Sequence, residues 1–311
     1  MRVGVIGVGY WGKKIVDEYT NMGVDITVAD INEENLKFCN EKYGVATTKD
    51  YKDILNDEEI IAVNICTPNA THYPIAKDCL LAGKNVLVEK PLTLKLEDAE
   101  DLANIAVENN LILTVGHIFR FNNAVQHIKK MIDYGEFGEI YIMKLTWTNI
   151  EPLYEDRDVI FDLAPHSFDI INFLFGRDPD ELFCTGNAYR RKEGTEAAFI
   201  NARLNNILIN IELSWLTPRK VRSLNIIGAK KSAVVDCSYQ KVEIYDDGGW
   251  KNLEIVPNNT IRSELESFLA CIKNRNISIA DVQVGINSVR ILEIAEKSLH
   301  EERMIKVYDE R

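Results

Sequence analysis

Arg2-Val3-Gly4-Val5-Ile6-Gly7-Val8-Gly9-Tyr10-Trp11-Gly12 follows directly on Met1, and its reading decides the fold. The short apolar run over 2–6 fits a buried parallel strand. It ends in a G-x-G-x-x-G turn, after which Trp11, Ile15, Val16 and Tyr19 recur at helical spacing as far as Gly23, placed to close a helix. A glycine turn between a strand and a helix is the signature of a dinucleotide site. Gly7 permits the tight turn, Gly9 lets a pyrophosphate approach the backbone, and Gly12 lets helix and strand pack closely. The helix N-terminus adds N–H donors and a positive dipole for phosphates. Tyr10 and Trp11 lie inside the same turn and join the three glycines as candidate cofactor contacts. Asp30 ends a second strand, read over 24–29, 18 positions after Gly12. A carboxylate there accepts from a ribose 2′-hydroxyl and repels a 2′-phosphate, and Ile31-Asn32 offers no arginine for one, so NAD is expected over NADP. The plainer alternative for Asp30 is a cap on the helix read over 33–43.

Outward from this unit the alternation continues: strand 61–66, helix 73–81, strand 85–88, helix 96–108 and strand 111–115. Strands alternating with helices of about ten residues mean βαβ crossovers and a parallel sheet. Past residue 120 the texture changes. One helix, 124–134, is followed by strand-like runs at 140–148, 181–188, 197–204, 207–214, 223–227, 233–236 and 242–245, with helical patterns at 161–175, 263–273 and 283–300. Consecutive strands joined by tight turns imply antiparallel pairing. The expected fold is α/β: a Rossmann doubly wound parallel sheet over 1–119, then an α+β domain with a mostly antiparallel sheet over 120–311.

Bulk composition narrows the function. At 311 residues the chain has room for two domain cores. The formal net charge of −12 argues against nucleic acid, whose phosphates need clustered Lys and Arg, and against an anionic membrane surface. Six cysteines without a C-x-x-C pair or histidines at ligand spacing point to packed, reduced thiols and no metal site. The chain enters a strand at once, without a leader pattern, and its apolar runs are shorter than a membrane span, so a cytoplasmic protein is expected.

Chemistry is expected at the carboxyl ends of the parallel strands, where open α/β sheets bind ligands. Thr67-Pro68-Asn69 follows the strand 61–66 and reads as a second cofactor-facing loop, or else as a plain turn. His72, just beyond it, either caps the next helix or touches cofactor. Glu89-Lys90-Pro91 follows the strand 85–88; Lys90 projects toward the crevice or, on the plainer reading, is a surface lysine. On the helix 161–175, apolar nearly all round, Asp162, His166 and Asp169 are the ionisable side chains, spaced i, i+4, i+7 on one stripe. Buried charges need partners or a use, so the stripe suggests a polar cleft. Asp162 as a helix cap, His166 as a satisfied core histidine and Asp169 as a structural acid are the alternatives.

Taken in order, the glycine turn, Thr67-Pro68-Asn69 with His72, Glu89-Lys90-Pro91 and Asp162-x-x-x-His166 resemble the Gfo/Idh/MocA family of NAD(P)-dependent sugar and polyol dehydrogenases. The resemblance covers essentially the whole chain and implies a sheet face that builds homodimers or homotetramers. It implies that Lys90 orients substrate and contacts the nicotinamide ribose, that His166 exchanges a proton with the reacting hydroxyl, and that Asp162 supports the pair. Such roles suit hydride transfer, because the alcohol proton must leave as the hydride does. Two strings, 115–122 and 162–166, resemble the branch that oxidises the 3-hydroxyl of UDP-N-acetylglucosamine, although Phe119 and Asn123 depart from its pattern. The implied partner is a UDP-sugar, with Arg120, Asn122 and Arg157 as candidate substrate anchors. An inositol or simple sugar dehydrogenase is the alternative within the family, and a non-catalytic NAD-sensing regulator the alternative outside it.

Overall fold

The computed structural model describes residues 1–154 and 157–308, which divide into two compact units. The first holds Met1–His117 and Thr260–Val289, the second Ile118–Asn259 and Arg290–Arg311.

The first unit is an alternating βα chain. It runs β1 (Arg2–Ile6), α1 (Tyr10–Asn21), β2 (Asp25–Ala29), α2 (Glu33–Tyr43), β3 (Ala46–Thr48), α3 (Lys52–Asn56) and β4 (Ile60–Ile65). It continues with α4 (His72–Leu81), β5 (Asn85–Glu89), α5 (Leu96–Glu108) and β6 (Leu113–Gly116). Among the described residues its sheet has six strands in the order β3-β2-β1-β4-β5-β6, all pairs parallel. The order reverses beside β1, and that switch point lies where β1 gives way to the glycine turn. Strand residues such as Val3, Val5, Ile65, Val86 and Val88 are fully buried, as in a sheet covered on both faces.

In the second unit come α6 (Asn123–Asp133), β7 (Ile140–Ile150), α7 (Val159–Phe175), β8 (Glu181–Asn187), β9 (Ala197–Leu204) and β10 (Ile207–Ser214). Then follow β11 (Leu216–Gly228), β12 (Ser232–Asp236), β13 (Lys241–Asp246) and β14 (Gly249–Leu253). The described residues form a nine-stranded sheet, β14-β13-β12-β11-β7-β10-β9-β8-β15, closed at one edge by β15 (Ile305–Lys306). All pairs are antiparallel except β7 with β10. One face alternates inward: Met143, Leu145 and Trp147 of β7 and Ile209, Ile211 and Leu213 of β10 are buried.

Two helices complete the chain, α8 (Thr260–Asn274) and α9 (Val282–Glu301). The sequence pattern puts a single boundary near residue 119, whereas the chain returns to the first unit over Thr260–Val289. The cause is apolar burial: Leu265 and Phe268 of α8 lie in one core with Ile15, Val16 and Tyr19 of α1, and Val289 of α9 joins Leu92 and Val115. No helix among the described residues is long and apolar enough to cross a membrane.

Candidate active site

In the first unit the glycine turn fits a dinucleotide on steric grounds. Gly7 has φ +85°, and a Cβ there would stand 2.8 Å from the backbone of Cys66. A Cβ on Gly12 would come within 2.0 Å of the Gly7 carbonyl oxygen. At Gly9 an added Cβ would meet nothing within 4 Å, so open space lies over the turn where a pyrophosphate would approach. Gly9 caps α1 without a side-chain bond, and the first turn of α1 holds no acidic residue. Its leading N–H groups therefore face an anion site uncontested by a carboxylate.

Asp30 holds that turn. One carboxylate oxygen accepts the Val8 N–H at 2.7 Å and the other accepts the Asn32 N–H at 2.7 Å. The cap of α2 is Asn32, not Asp30, because the Asn32 side chain accepts from the Glu34 and Asn35 N–H groups. A carboxylate has about four acceptor positions, so Asp30 keeps capacity for a ribose hydroxyl.

The loops after β4 and β5 are tied by side chains. Thr71 Oγ1 donates to the carbonyl of Pro68 and lies 2.8 Å from Thr67 Oγ1, closing the Thr67-Pro68-Asn69 turn, in which Asn69 is buried. His72 does not cap α4 through its side chain; the ring is buried, with Nδ1 2.7 Å from the Pro91 carbonyl oxygen and Nε2 2.9 Å from that of Thr67. Glu89 is buried and accepts a short hydrogen bond from Trp11 Nε1, so the last residue of β5 is joined to the glycine turn. Burial pushes the Glu89 carboxyl up to about 7, against the opposing pull of the Trp11 N–H and the Lys90 charge. Lys90 is half-buried, and its peptide bond to Pro91 is cis.

The second unit carries the other cluster. α7 begins at Val159, capped by Asp158, whose side chain accepts from the Ile160 and Phe161 N–H groups. Asp162 is thus inside the helix and free of cap duty, and Pro165 falls in its interior, where it supplies no N–H to the Phe161 carbonyl. Trp215 Nε1 donates to Asp162 Oδ2 at 3.1 Å, and Arg157 Nε stands 3.9 Å from Oδ1. The Arg157 guanidinium also covers the Tyr154 ring, 4.1 Å from its centroid. Arg222 lies in the same field, its guanidinium pulled by burial down to about 10 with the charges of Asp162 and Glu151 opposing. One turn after Asp162, His166 is half-buried, and the edge of Phe119 packs against its ring at 5.1 Å between centroids.

Two further predicted residues, Arg120 and Asn122, are bonded to neighbours within the second unit. Arg120 is 6% exposed; its Nε donates to Asp169 Oδ1 at 2.6 Å and a terminal nitrogen to Asn172 Oδ1 at 2.8 Å. That assigns Asp169 to a buried ion pair and commits the Arg120 guanidinium inward. Asn122 caps α6, accepting from Ala124 and Val125, and donates to the Cys237 carbonyl. Both residues are buried. Conversely, pattern reading missed Trp215 and Arg222 beside Asp162, and it noted Phe119 only as a departure from a pattern, not as the ring packed on His166. A tryptophan just past an alternating strand was the available signal, but nothing local linked it to a partner 53 residues away. Among the described residues, no group of His, Cys, Asp and Glu is arranged to hold a metal ion.

Comparison with known proteins follows the same division. Residues 1–117 match the model of an oxidoreductase family with an NAD-binding Rossmann fold, and residues 125–234 match the GFO/IDH/MocA C-terminal domain. The first unit is an NAD-binding Rossmann domain. The chain is 27% identical over 305 residues to a UDP-N-acetylglucosamine 3-dehydrogenase of Acidithiobacillus ferrooxidans, covering 95% of each. A solved structure of the 3-dehydrogenase from that organism superposes with a TM-score of 0.87 at 26% identity, over 97% of this chain and 98% of the other. A myo-inositol 2-dehydrogenase of Thermotoga maritima is 23% identical over 344 residues, covering 99% of this chain and 98% of that protein. Levoglucosan dehydrogenase, solved with NADH, shares the fold with a TM-score of 0.90 at 20% identity, over 99% of each chain.

Proposed function

The chain belongs to the Gfo/Idh/MocA family of oxidoreductases, NAD-dependent dehydrogenases that act on a CH–OH group, and from that premise we propose that it oxidises a secondary alcohol of a nucleotide sugar. The reading is carried by one observation: on α7, Asp162 is gripped by Trp215 and Arg157 one turn before a half-buried His166. A fixed acid beside a histidine is what a proton acceptor for a hydroxyl requires.

On this reading the first unit supplies the cofactor contacts: Gly7, Gly9, Tyr10, Trp11, Gly12, Asp30, the Thr67-Pro68-Asn69 loop, Glu89 and Lys90. Bound against these residues, NAD+ would supply the acceptor for the hydride of the carbinol carbon. His166 Nε2 takes the hydroxyl proton, since Nδ1 is buried, and Asp162 steadies the imidazolium that forms. The Lys90 ammonium orients the hydroxyl and stabilises alkoxide character as the proton leaves. The oxygen becomes the ketone, and the net release is one proton and one reduced nicotinamide.

The substrate favoured is UDP-N-acetylglucosamine, oxidised at C3, on the similarity that spans 95% of the chain. Arg157, already close to Asp162, is the remaining candidate anchor for its diphosphate. The myo-inositol 2-dehydrogenase similarity, over 99% of the chain, supports a polyol as the second reading. We place the enzyme in the cytoplasm, where NAD and reduced thiols coexist, and read it as a homodimer or homotetramer.

The deciding experiment follows reduced nicotinamide with NAD+ and either UDP-N-acetylglucosamine or myo-inositol, with an aminotransferase present to trap the ketone. Turnover on the UDP-sugar is expected; turnover on inositol alone would transfer the assignment to the polyol. His166→Ala should lower kcat by about 100-fold or more while NAD+ still binds. Undiminished turnover in that variant would remove His166 from its role.

A further inference from the structure

The imidazole of His72 is 1% exposed, and each ring nitrogen meets a backbone carbonyl oxygen, Pro91 at 2.7 Å and Thr67 at 2.9 Å. A neutral imidazole has one N–H and one lone pair. It satisfies one of these carbonyls and turns a lone pair toward the other, oxygen against nitrogen at hydrogen-bond distance. Only an imidazolium donates to both. A half-turn of the ring gives no relief, because it puts a ring carbon in place of each nitrogen and loses both contacts.

The two acceptors belong to different loops. Thr67 opens the turn after β4, and Pro91 closes the Glu89-Lys90-Pro91 segment after β5. These strands are parallel neighbours in register, Ala62 opposite Asn85 through Ile65 opposite Val88. Their carboxyl ends therefore emerge side by side, at the edge where a doubly wound sheet binds its ligand. We propose that His72 is held as an imidazolium and acts as a positioning residue, fixing the spacing of these two loops and with it the placement of Lys90.

Lys90 gains a matching restraint from its other side. Glu89 accepts from Trp11 Nε1 in the glycine turn. The residue before Lys90 is thus tied to the first cofactor loop and the residue after it to the second. Both residues flanking Lys90 are pinned, which fixes the backbone from which its side chain extends. His72, whose two nitrogens are spent on the protein's own carbonyls, acts on the cofactor through these loops and not by touching it. The role assigned to Lys90 rests on the proposed dehydrogenase function; the protonation state of His72 does not.

The test reads the ring nitrogens directly. The full chain, labelled with 15N-histidine, is observed at neutral pH by long-range 1H–15N correlation. The chain has five histidines; single Gln variants of His117, His127, His166 and His300 assign His72 by elimination, so the assignment does not require a His72 variant to fold. Two protonated ring nitrogens at His72, unchanged when substrate activity is absent, are expected. One protonated and one bare nitrogen would overturn the imidazolium. In parallel, His72→Gln cannot place a donor at both ring-nitrogen positions, because the second polar atom of its amide is an oxygen that only accepts. It should bind NAD+ about tenfold more weakly by calorimetry, the scale of one lost charge-assisted hydrogen bond, with its melting temperature little changed. Parental affinity for NAD+ in that variant would overturn the positioning role. Failure of the UDP-sugar assay alone would touch only the substrate assignment.

Discussion

Glu89 carries the same logic of buried charge with the opposite sign. Burial pushes its carboxyl from 4.5 up to about 7, so between those values the folded protein holds a proton that the unfolded chain has released. Unfolding in that window releases a proton. Stability therefore falls as pH rises from about 4.5 to about 7 and levels off above it, by at most about 3 kcal/mol from this group alone. Glu89→Gln keeps an acceptor for Trp11 Nε1 but cannot ionise. Urea unfolding of parent and variant at several pH values should give a difference that grows in favour of the variant from pH 4.5 to 7. Parallel stability curves would show that Glu89 titrates normally. Asp169 is the contrasting acid: its Oδ1 lies 2.6 Å from Arg120 Nε in a buried pair. The motif residues were legible because their chemistry is local to a turn or a strand end. The purpose of Asp169 was not, since the residue that answers it lies 49 positions upstream.

At the scale of elements, the turn between β1 and α1 separates folding from binding within three residues. Gly12→Ala would drive a methyl to 2.0 Å from the Gly7 oxygen, a backbone atom that cannot swing away. That variant should lose about 1–3 kcal/mol of stability and, with the turn displaced, its NAD+ affinity. At Gly9 the added methyl meets nothing in the protein, so Gly9→Ala should melt like the parent yet bind NAD+ poorly, because the methyl occupies the space over the turn. Thermal melts with and without NAD+ distinguish the two; a Gly9→Ala protein stabilised by NAD+ as fully as the parent would contradict the assignment of that space. The long periodic elements, α1, α2, α5, β9 and β10, fall within a residue of what apolar spacing predicts. Four short ones escape: β3, α3, β14 and β15, of 3, 5, 5 and 2 residues, lack the continuous apolar run that marks β1 or β5. β11 reads as starting at 223 but runs from Leu216, because a register shift between Leu216 and Val221 breaks its alternation.

At the scale of the whole molecule, the parallel and antiparallel sheets follow from the order of strands, but the return of α8 to the first unit does not. Arg262 reaches Glu18 at 3.1 Å across 244 positions, a closure no local pattern encodes. The solvent face of the nine-stranded sheet raises the remaining question of scale, what covers it. In register across five strands run Trp250, Tyr245, Ser232, Ile227 and Ile142, with Leu208 next on β10. The five apolar members of this row are between 39% and 60% exposed. The neighbouring row, Asn252, Glu243, Val234, Asn225, Lys144, Asn210 and Asn201, is mostly polar, with Glu243 and Lys144 as its charged members. A stable interface of ordinary size buries about 800 Å² per partner, with an apolar core and a polar rim. In a sheet-on-sheet contact between two copies, the apolar row would supply the core and its polar neighbour the rim. Ile142→Asp and Leu208→Asp, at directly paired positions, each place a charge in that core. Both side chains already face water in a single chain, so the variants should keep the parental melting behaviour as monomers. Sedimentation equilibrium should find the parent at a multiple of 35.4 kDa and the paired double variant at 35.4 kDa. A parent that sediments as a monomer would refute self-association through this face, and a variant that stays multimeric would move the interface elsewhere.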